Sequence, residues 1–479
     1  ILEHTVLCGS RKYPVRDPFF SMIKRSLSTF MNALTASDWT MYPFSTENRK
    51  DFYNLMDVYL DAAFYPNLSE LSFKQEGHRI ELEGDDDSQT RLQYRGVVYN
   101  EMKGAMSSPD QVMGRSLLNA LYPATTYQYN SGGEPKEIPE LSYEDLKAFH
   151  RYHYHPSNSY FYTYGDQPLI GHLEFIEEKV LNQFKRINPE TEVPPQPRWD
   201  SPKSATYYYA LSKSEDPEKK NQVSVAWLLS DIRDNYEVLI LTILEQILLG
   251  NPASPLRKAL IDSGLGTALA DASGYGSDNR DTMFAVGLKN VALSSAEQIE
   301  KVIFDTLNSL VTDGIETELV ESAIHQIEFH RKEVTNHPYP YGIKLLMVFG
   351  PCWFHEGDPA GILQFDADME RLREEISKGP FLENKIKQYF IENPHRVLFK
   401  LVPDQTMAEK ENLRVTKELD AIKAGLSETD IQKIRKDTEA LKYLQETPEN
   451  TSVLPTLEIS DIPPEVKLIR ETEIGRAHV

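Results

Sequence analysis

Glu3 and His4, adjacent in Ile1-Leu2-Glu3-His4, place a carboxylate beside an imidazole in the order used by one class of zinc hydrolase. A catalytic zinc needs three protein ligands and one open position for water. Two His four apart share a helix face and can hold one metal. In the inverted arrangement H-x-x-E-H, the Glu takes a proton from the attacking water. This chain shows x-x-E-H. Glu-His pairs are common, so this pair alone does not specify a metal. A further ligand must come from elsewhere, and Glu101 in GVVYNEMKGAM is the candidate. It follows the apolar Val97-Val98-Tyr99 and opens a helical pattern. Taken alone, an acid there is more simply explained by the favourable charge at a helix N-terminus.

Other chemistry-bearing groups read as structural. His150, His153 and His155 form H-x2-H-x-H, but His155 precedes Pro156, where the helix must end, and packing at a helix C-terminus is the better reading. SGLGTALADASGYGSD is glycine-rich without the strand–loop–helix context of a dinucleotide loop. GDDDS lacks the alternating ligands and closing Glu of a calcium loop and reads as a turn. Cys8 follows His4 by four residues and reads as a packed thiol, with redox control as the alternative.

Across the whole chain, 479 residues allow about three domains. The 40% hydrophobic and 26% charged residues are a globular balance. A net charge of -22 argues against a nucleic-acid partner and is compatible with cationic ligands. The longest apolar run, Val238 to Leu249, is broken by Glu245-Gln246 and reads as a buried helix without membrane insertion. Two cysteines make no disulfide framework.

The elements that must carry these residues follow from periodicity. Helices are expected over Ser21 to Phe30, over ENRKDFYNLMDVYLDAAFYP, over ELSFKQEGHRIELE, and from a capping box at Ser142 and Asp145 through LKAFHRYHYH. NALTASDWTMYPFST reads as a strand that Pro43 confines to an edge, and YFYTYG as a buried aromatic strand. Pro194 to Pro202 reads as a linker, placing a boundary near residue 200. Beyond it ATYYYAL, NQVSVAWLLS and RDTMFAVGL read as strands, with helices over SPLRKALIDSG and SSAEQIEKVIFDTLNSLVTDG. Helix, strand and long helix recur in the order of residues 21 to 65, so a tandem pair of α+β domains is expected. A charged helical hairpin joined by AGLSE follows RVLFKLVPD, and TPENTSVLPTLEISDIPPE reads as linker.

ILEHTVLCGSRKYPVRDPF, SLSTFMNALTASDWTMYPFST and GVVYNEMKGAM together resemble the presequence protease branch of the pitrilysin/insulysin zinc metallopeptidases. The likeness continues through FHRYHYHPSNSYFYTYGD, SGLGT and CWFHEGDP. It implies two tandem pitrilysin-type α/β-sandwich domains: residues 1–200 as the zinc-binding catalytic domain and 201–402 as a second, inactive one. Residues 403–473 would begin a helical linker. The resemblance assigns Glu3 as general base, His4 and Glu101 as ligands of one Zn2+ per chain, and Asn32, Ala33 and Leu34 as the edge segment along which substrate lies. An open strand edge pairs with any extended peptide through its backbone, which explains broad specificity. Short unstructured peptides, including cleaved mitochondrial presequences, are the implied substrates, cut inside a closed chamber by a monomer in the mitochondrial matrix.

Two departures from that pattern are expected to matter. The first His of H-x-x-E-H belongs one residue before Ile1, and the family's C-terminal half, which closes the chamber, has no counterpart here. The chain is therefore read as an N-terminally truncated fragment, inactive by itself. Ile474 to Val479 reads as a translated sequencing adapter and is set aside from fold reasoning. The alternative function is a non-catalytic core subunit or peptide-binding relative, which has no reason to keep Glu3, His4 and Glu101 together.

Overall fold

A computed structural model describes residues 1–84 and 91–465. The GDDDS turn, beyond its Gly84, and the segment Ile474 to Val479 lie outside the described residues. The fold is α+β, and it contains a six-stranded sheet that organises the second half of the chain.

That sheet runs in the order Gly274–Gly276, Asp281–Val291, Asn221–Asp231, Arg396–Asp404, Lys203–Ala210, with Ala268–Leu269 also pairing to Asp281–Val291. All pairings are antiparallel except Arg396–Asp404 with Lys203–Ala210. The unbroken apolar run NQVSVAWLL is explained by cover on both faces. Side chains alternate across a strand, so Val223, Val225 and Trp227 face the helices Asn235–Leu249 and Ala296–Asp313. Ala226 and Leu228 face the other way, onto Met113, Leu117, Leu121 and Tyr122. Those four come from the helix Pro109–Leu121 and its C-cap in the first half of the chain, and none is more than 1% exposed. Burying each large side chain stabilises by roughly 1.5–3 kcal/mol, so the two halves share one core.

The supposed linker Pro194 to Pro202 is irregular but fixed. Gln196 is 3% exposed; its N–H donates to Asp281 Oδ2 at 2.7 Å and its Oε1 accepts from the Ala124 N–H at 2.9 Å. Arg198 adds a 2.9 Å bond to Asp281. The C-terminal segment expected as linker is likewise pinned: Leu454 is buried with Tyr13, Met22 and Leu55, and Glu449 accepts from the Arg16 N–H at 2.8 Å. The helical hairpin forms as Met407–Gly425 and Glu428–Glu446, the second helix opened by a capping box at Ser427 and Asp430. It folds back on the first half, where Tyr94 donates to Glu418 at 2.6 Å and Lys74 to Asp437 at 2.7 Å.

Four elements near the candidate site differ from expectation. The Ser21 to Phe30 helix stops at Ile23, as part of Pro18–Ile23. Buried Asp51 accepts from Ser26 Oγ at 2.7 Å and the Leu27 N–H at 2.9 Å, which turns the chain away. The helix expected across residues 70–83 is only Glu70–Glu76; Gly77 ends it, and Arg79–Glu83 pairs antiparallel with Arg91–Arg95. The strand expected at 32–46 is a hairpin: Phe30–Met31 pairs Phe44–Ser45, and Leu34–Thr35 pairs Thr40–Met41 in the same register. Asn32 N–H donates to the Pro43 carbonyl at 3.1 Å. Pro43 has no N–H to return, so the ladder is interrupted there. Finally, YFYTYG forms no strand in the described residues; its tyrosines lie against the helix Tyr341–Phe354, with Tyr162 donating to the Gly342 carbonyl at 3.0 Å.

Candidate functional site

Glu3 and His4 sit on the short helix Leu2–Val6, whose Thr5 and Val6 face inward and fix its rotation. Val6 packs with Phe73 of the helix Glu70–Glu76. Glu101 comes from the helix Val97–Ala105, entered through Gly96. Gly96 has φ 155°, and a Cβ there would collide with the Gly77 carbonyl, so only glycine lets the strand Arg91–Arg95 turn straight into this helix. Glu101 is the fifth residue of its helix, and the first turn holds no acid. The reading of Glu101 as a helix N-terminal charge is thereby excluded.

The structure brings the three residues together. His4 Nε2 lies 3.7 Å from Glu101 Oε2 and 3.9 Å from Glu3 Oε2. The other ring nitrogen, Nδ1, is 3.1 Å from Glu76 Oε2. With Nδ1–H given to Glu76, Nε2 presents its lone pair to the space shared by Glu3 and Glu101. A carboxylate behind the ligating imidazole fixes tautomer and orientation in metal sites. The hydrogen bond to Glu76 raises the His4 pKa above its ordinary value. Burial pushes the Glu76 carboxyl up, but hydrogen bonds from His4 and Gln75 outweigh it and hold Glu76 below the usual carboxylate range.

Imidazole and carboxylate donors suit zinc, and His4 and Glu101 are of these types. Among the described residues, no group of three or more His, Cys, Asp or Glu is arranged to hold a metal.

Glu76 is the residue that sequence reasoning missed. It reads there as one more acid in a charged helix. The available signal was its position beside Gly77 on the apolar side of that helix, where a carboxylate is 8% exposed and needs a partner.

The segment Asn32, Ala33 and Leu34 lies in the hairpin described above. The next residue, Thr35, donates from Oγ1 to Glu3 Oε2 at 3.4 Å. Each hairpin pair is a two-stranded sheet, so each strand has one side unpaired by the other. Glu3, His4, Glu101 and the hairpin residues from Thr35 onward line one open cavity of about 1940 Å³, with Tyr160 and Trp353 also in its lining; Asn32, Ala33 and Leu34 are not among its lining residues.

The three His of H-x2-H-x-H do not converge. His150 Nε2 meets the Ala63 carbonyl at 2.9 Å, His153 stacks on Phe149 at 4.0 Å, and His155 Nδ1 accepts from the Ser157 N–H at 3.1 Å. Cys8 donates to the His4 carbonyl at 3.5 Å, and burial raises its thiol pKa, which fits a packed and unreactive thiol. The SGLGT loop follows the helix Pro255–Asp262 and precedes a two-residue strand. No helix in the described residues is long and apolar enough to cross a membrane.

Comparison with known proteins gives these residues a context. The peptidase M16 inactive domain matches residues 140–327, and the associated domain of subfamily C of the same peptidases matches 401–479. The chain is 45% identical to the mitochondrial presequence protease of Xenopus laevis over 98% of its own length and 46% of that protein's. It is 43% identical to the mitochondrial presequence protease of Mus musculus over 100% of its own length and 46% of that protein's. The chain thus spans about half the length of these curated relatives. A crystal structure of a protease from Helicobacter pylori superposes with a TM-score of 0.64 at 18% identity, covering 84% of this chain and 88% of that one.

Proposed function

We propose, from the premise that this chain is a homologue of the presequence proteases and of the M16 peptidases, that it forms the zinc-binding half of a mitochondrial metalloendopeptidase acting on short unstructured peptides. The observation that carries the reading is the convergence on His4: Glu101 and Glu3 lie within 4 Å of Nε2, and Glu76 holds Nδ1. His4 and Glu101 would hold zinc, together with one further ligand. Zinc, when bound, supplies a Lewis acid that lowers the pKa of water and polarises a peptide carbonyl. Glu3 takes the proton from the attacking water and returns it to the leaving nitrogen. Glu76 keeps the His4 ring in the ligating tautomer. An extended peptide adds along Asn32, Ala33 and Leu34 through its backbone, which needs no particular side chains. The net charge of -22 favours basic peptides such as cleaved targeting segments.

The test uses the protein as its transcript encodes it. Glu3→Gln is expected to keep zinc and lose peptide hydrolysis by about a thousandfold, because base and ligand are separate tasks. Glu101→Gln is expected to lose zinc measured by atomic absorption. Retained turnover in the first variant, or unchanged metal content in the second, refutes the assignment. Zinc-free wild-type protein that binds peptide without cutting it would move the reading to a non-catalytic relative.

A further inference from the structure

The hairpin that touches Glu3 is held at its tip from both halves of the molecule. Residues 36–39 form the turn, closed by the Ala36 N–H donating to the Trp39 carbonyl at 2.9 Å. Asp38 stands at its apex with a side chain only 4% exposed. Its Oδ2 accepts from the Tyr127 hydroxyl at 2.7 Å, and His355 Nε2, on a side chain 5% exposed, lies 3.0 Å from the same oxygen and 3.3 Å from the Tyr127 hydroxyl. The Tyr127 oxygen in turn accepts the Arg280 N–H at 2.6 Å, from the loop before the strand Asp281–Val291. Thr126 Oγ1 donates to the Ser37 carbonyl at 3.1 Å, and Trp39 packs on Phe354 with ring centroids 6.1 Å apart.

His355 is placed for this contact by a costly piece of backbone. The helix Tyr341–Phe354 ends at His355, and Glu356 has φ 63°, a left-handed conformation that a residue with a side chain adopts at a penalty. The Gly357 N–H then bonds back to the Cys352 carbonyl at 2.9 Å, and a Cβ at Gly357 would collide with Cys352 Sγ. The turn that closes this helix therefore specifies where His355 points. A carboxylate buried to this degree is stable only with its polar partners in place, so the geometry of the tip depends on Tyr127, which donates to Asp38, and on His355, which contacts both.

We propose that His355 is a positioning residue for the candidate catalytic site: with Tyr127 it clamps Asp38, and through Asp38 it sets the hairpin that carries Asn32 to Leu34 and places Thr35 on Glu3. The second half of the chain thereby contributes to peptide binding without touching the reacting atoms. This rests on the peptidase reading of the preceding section for its functional consequence, while the clamp itself is testable without activity.

The experiment compares the wild-type protein, as its transcript encodes it, with His355→Ala, His355→Gln and Asp38→Asn. The first readout is amide hydrogen exchange. Exchange across Leu34–Met41 should accelerate by about tenfold or more in His355→Ala, as expected for loss of a close polar partner of a buried carboxylate, while the sheet residues Val223 to Leu229 keep their protection. Gln places a donor near the position of Nε2, so His355→Gln should restore most of the protection. The second readout is cleavage of an unstructured basic peptide, with KM expected to rise about tenfold in His355→Ala and zinc content unchanged. Unchanged hairpin exchange in His355→Ala overturns the clamp. Loosened exchange with unchanged KM in an active protein overturns the positioning role. Loosened exchange with no cleavage by any form, wild type included, upholds the clamp and refutes the peptidase reading instead.

Discussion

His395 offers a sharp test of the physical reasoning, because one proton at one ring decides a measurable amount of stability. The side chain is 0% exposed and stacks on Trp199 at 3.8 Å. Nδ1 accepts from the Trp199 N–H at 3.2 Å, and Nε2 lies 3.0 Å from the Leu121 carbonyl, which fixes the neutral ring as the Nε2–H tautomer. A second proton would have to sit on Nδ1, against the Trp199 N–H. Burial therefore drives the pKa down from 6.5 to about 4, the bond to Leu121 opposes this, and Arg198 and Lys203 add to the depression. Between those two values the unfolded chain binds the proton and the folded chain does not, so stability is full above pH 6.5 and is lost as pH falls toward 4. At pH 4.5 the loss amounts to about 2 kcal/mol relative to pH 7. The perturbation is His395→Gln, which keeps a donor for Leu121 but cannot titrate. Denaturant unfolding of both forms at pH 7 and pH 4.5 isolates the ring, because all other groups titrate alike in the two. The wild type should lose about 2 kcal/mol more than the variant over this interval. A difference under about 0.5 kcal/mol, or an imidazole titrating near 6.5 by NMR, refutes the reasoning.

Two further outcomes follow from the site. If His4 holds zinc as proposed, Glu76→Gln should lower zinc affinity by about tenfold to a hundredfold, read by competition with a chelating dye. An affinity equal to wild type would mean that the Nδ1 contact does not orient the ring. Gly96→Ala should cost several kcal/mol, roughly 3 or more, because the Cβ meets the Gly77 carbonyl and the backbone is left-handed there. A melting temperature within two or so degrees of wild type, about 1 kcal/mol or less, would contradict it.

Much of this arrangement is legible in the sequence where local chemistry decides the structure. The capping box at Ser142 and Asp145, the apolar face of Arg49–Phe64 and the buried strand Asn221–Asp231 all carry their own signals, and all form. The helix expected at 70–83 fails because Gly77 is an ordinary interior glycine to a periodicity argument, while in three dimensions it is the corner that Gly96 packs into. Pro43 reads as an edge marker, yet its effect is internal, since its missing donor would have faced Asn32. Glu3, His4 and Glu101 were recognisable as a set only through the resemblance, because nothing in a linear string brings Glu101 to His4. The Asp38–His355 pair carries no sequence signal at all. Asp38 and His355 each sit in an aromatic-rich stretch, and only the docking of the two halves makes them partners.

Among the described residues, the strand Lys203–Ala210 has a single neighbour in the sheet, Arg396–Asp404, which in turn separates it from Asn221–Asp231. A nascent chain leaving the ribosome must therefore carry Lys203–Ala210 unpaired until nearly all of the second half has been made. At about 5–20 residues per second that is a wait of roughly ten to forty seconds. The strand Asn221–Asp231 meanwhile shows an open edge, rich in Val, Leu and Trp, to any other strand nearby. The last strand is thus a keystone that seals two edges in one event. Its arrival is the step at which a chaperone would be needed, and a chain interrupted before Asp404 would display both edges permanently.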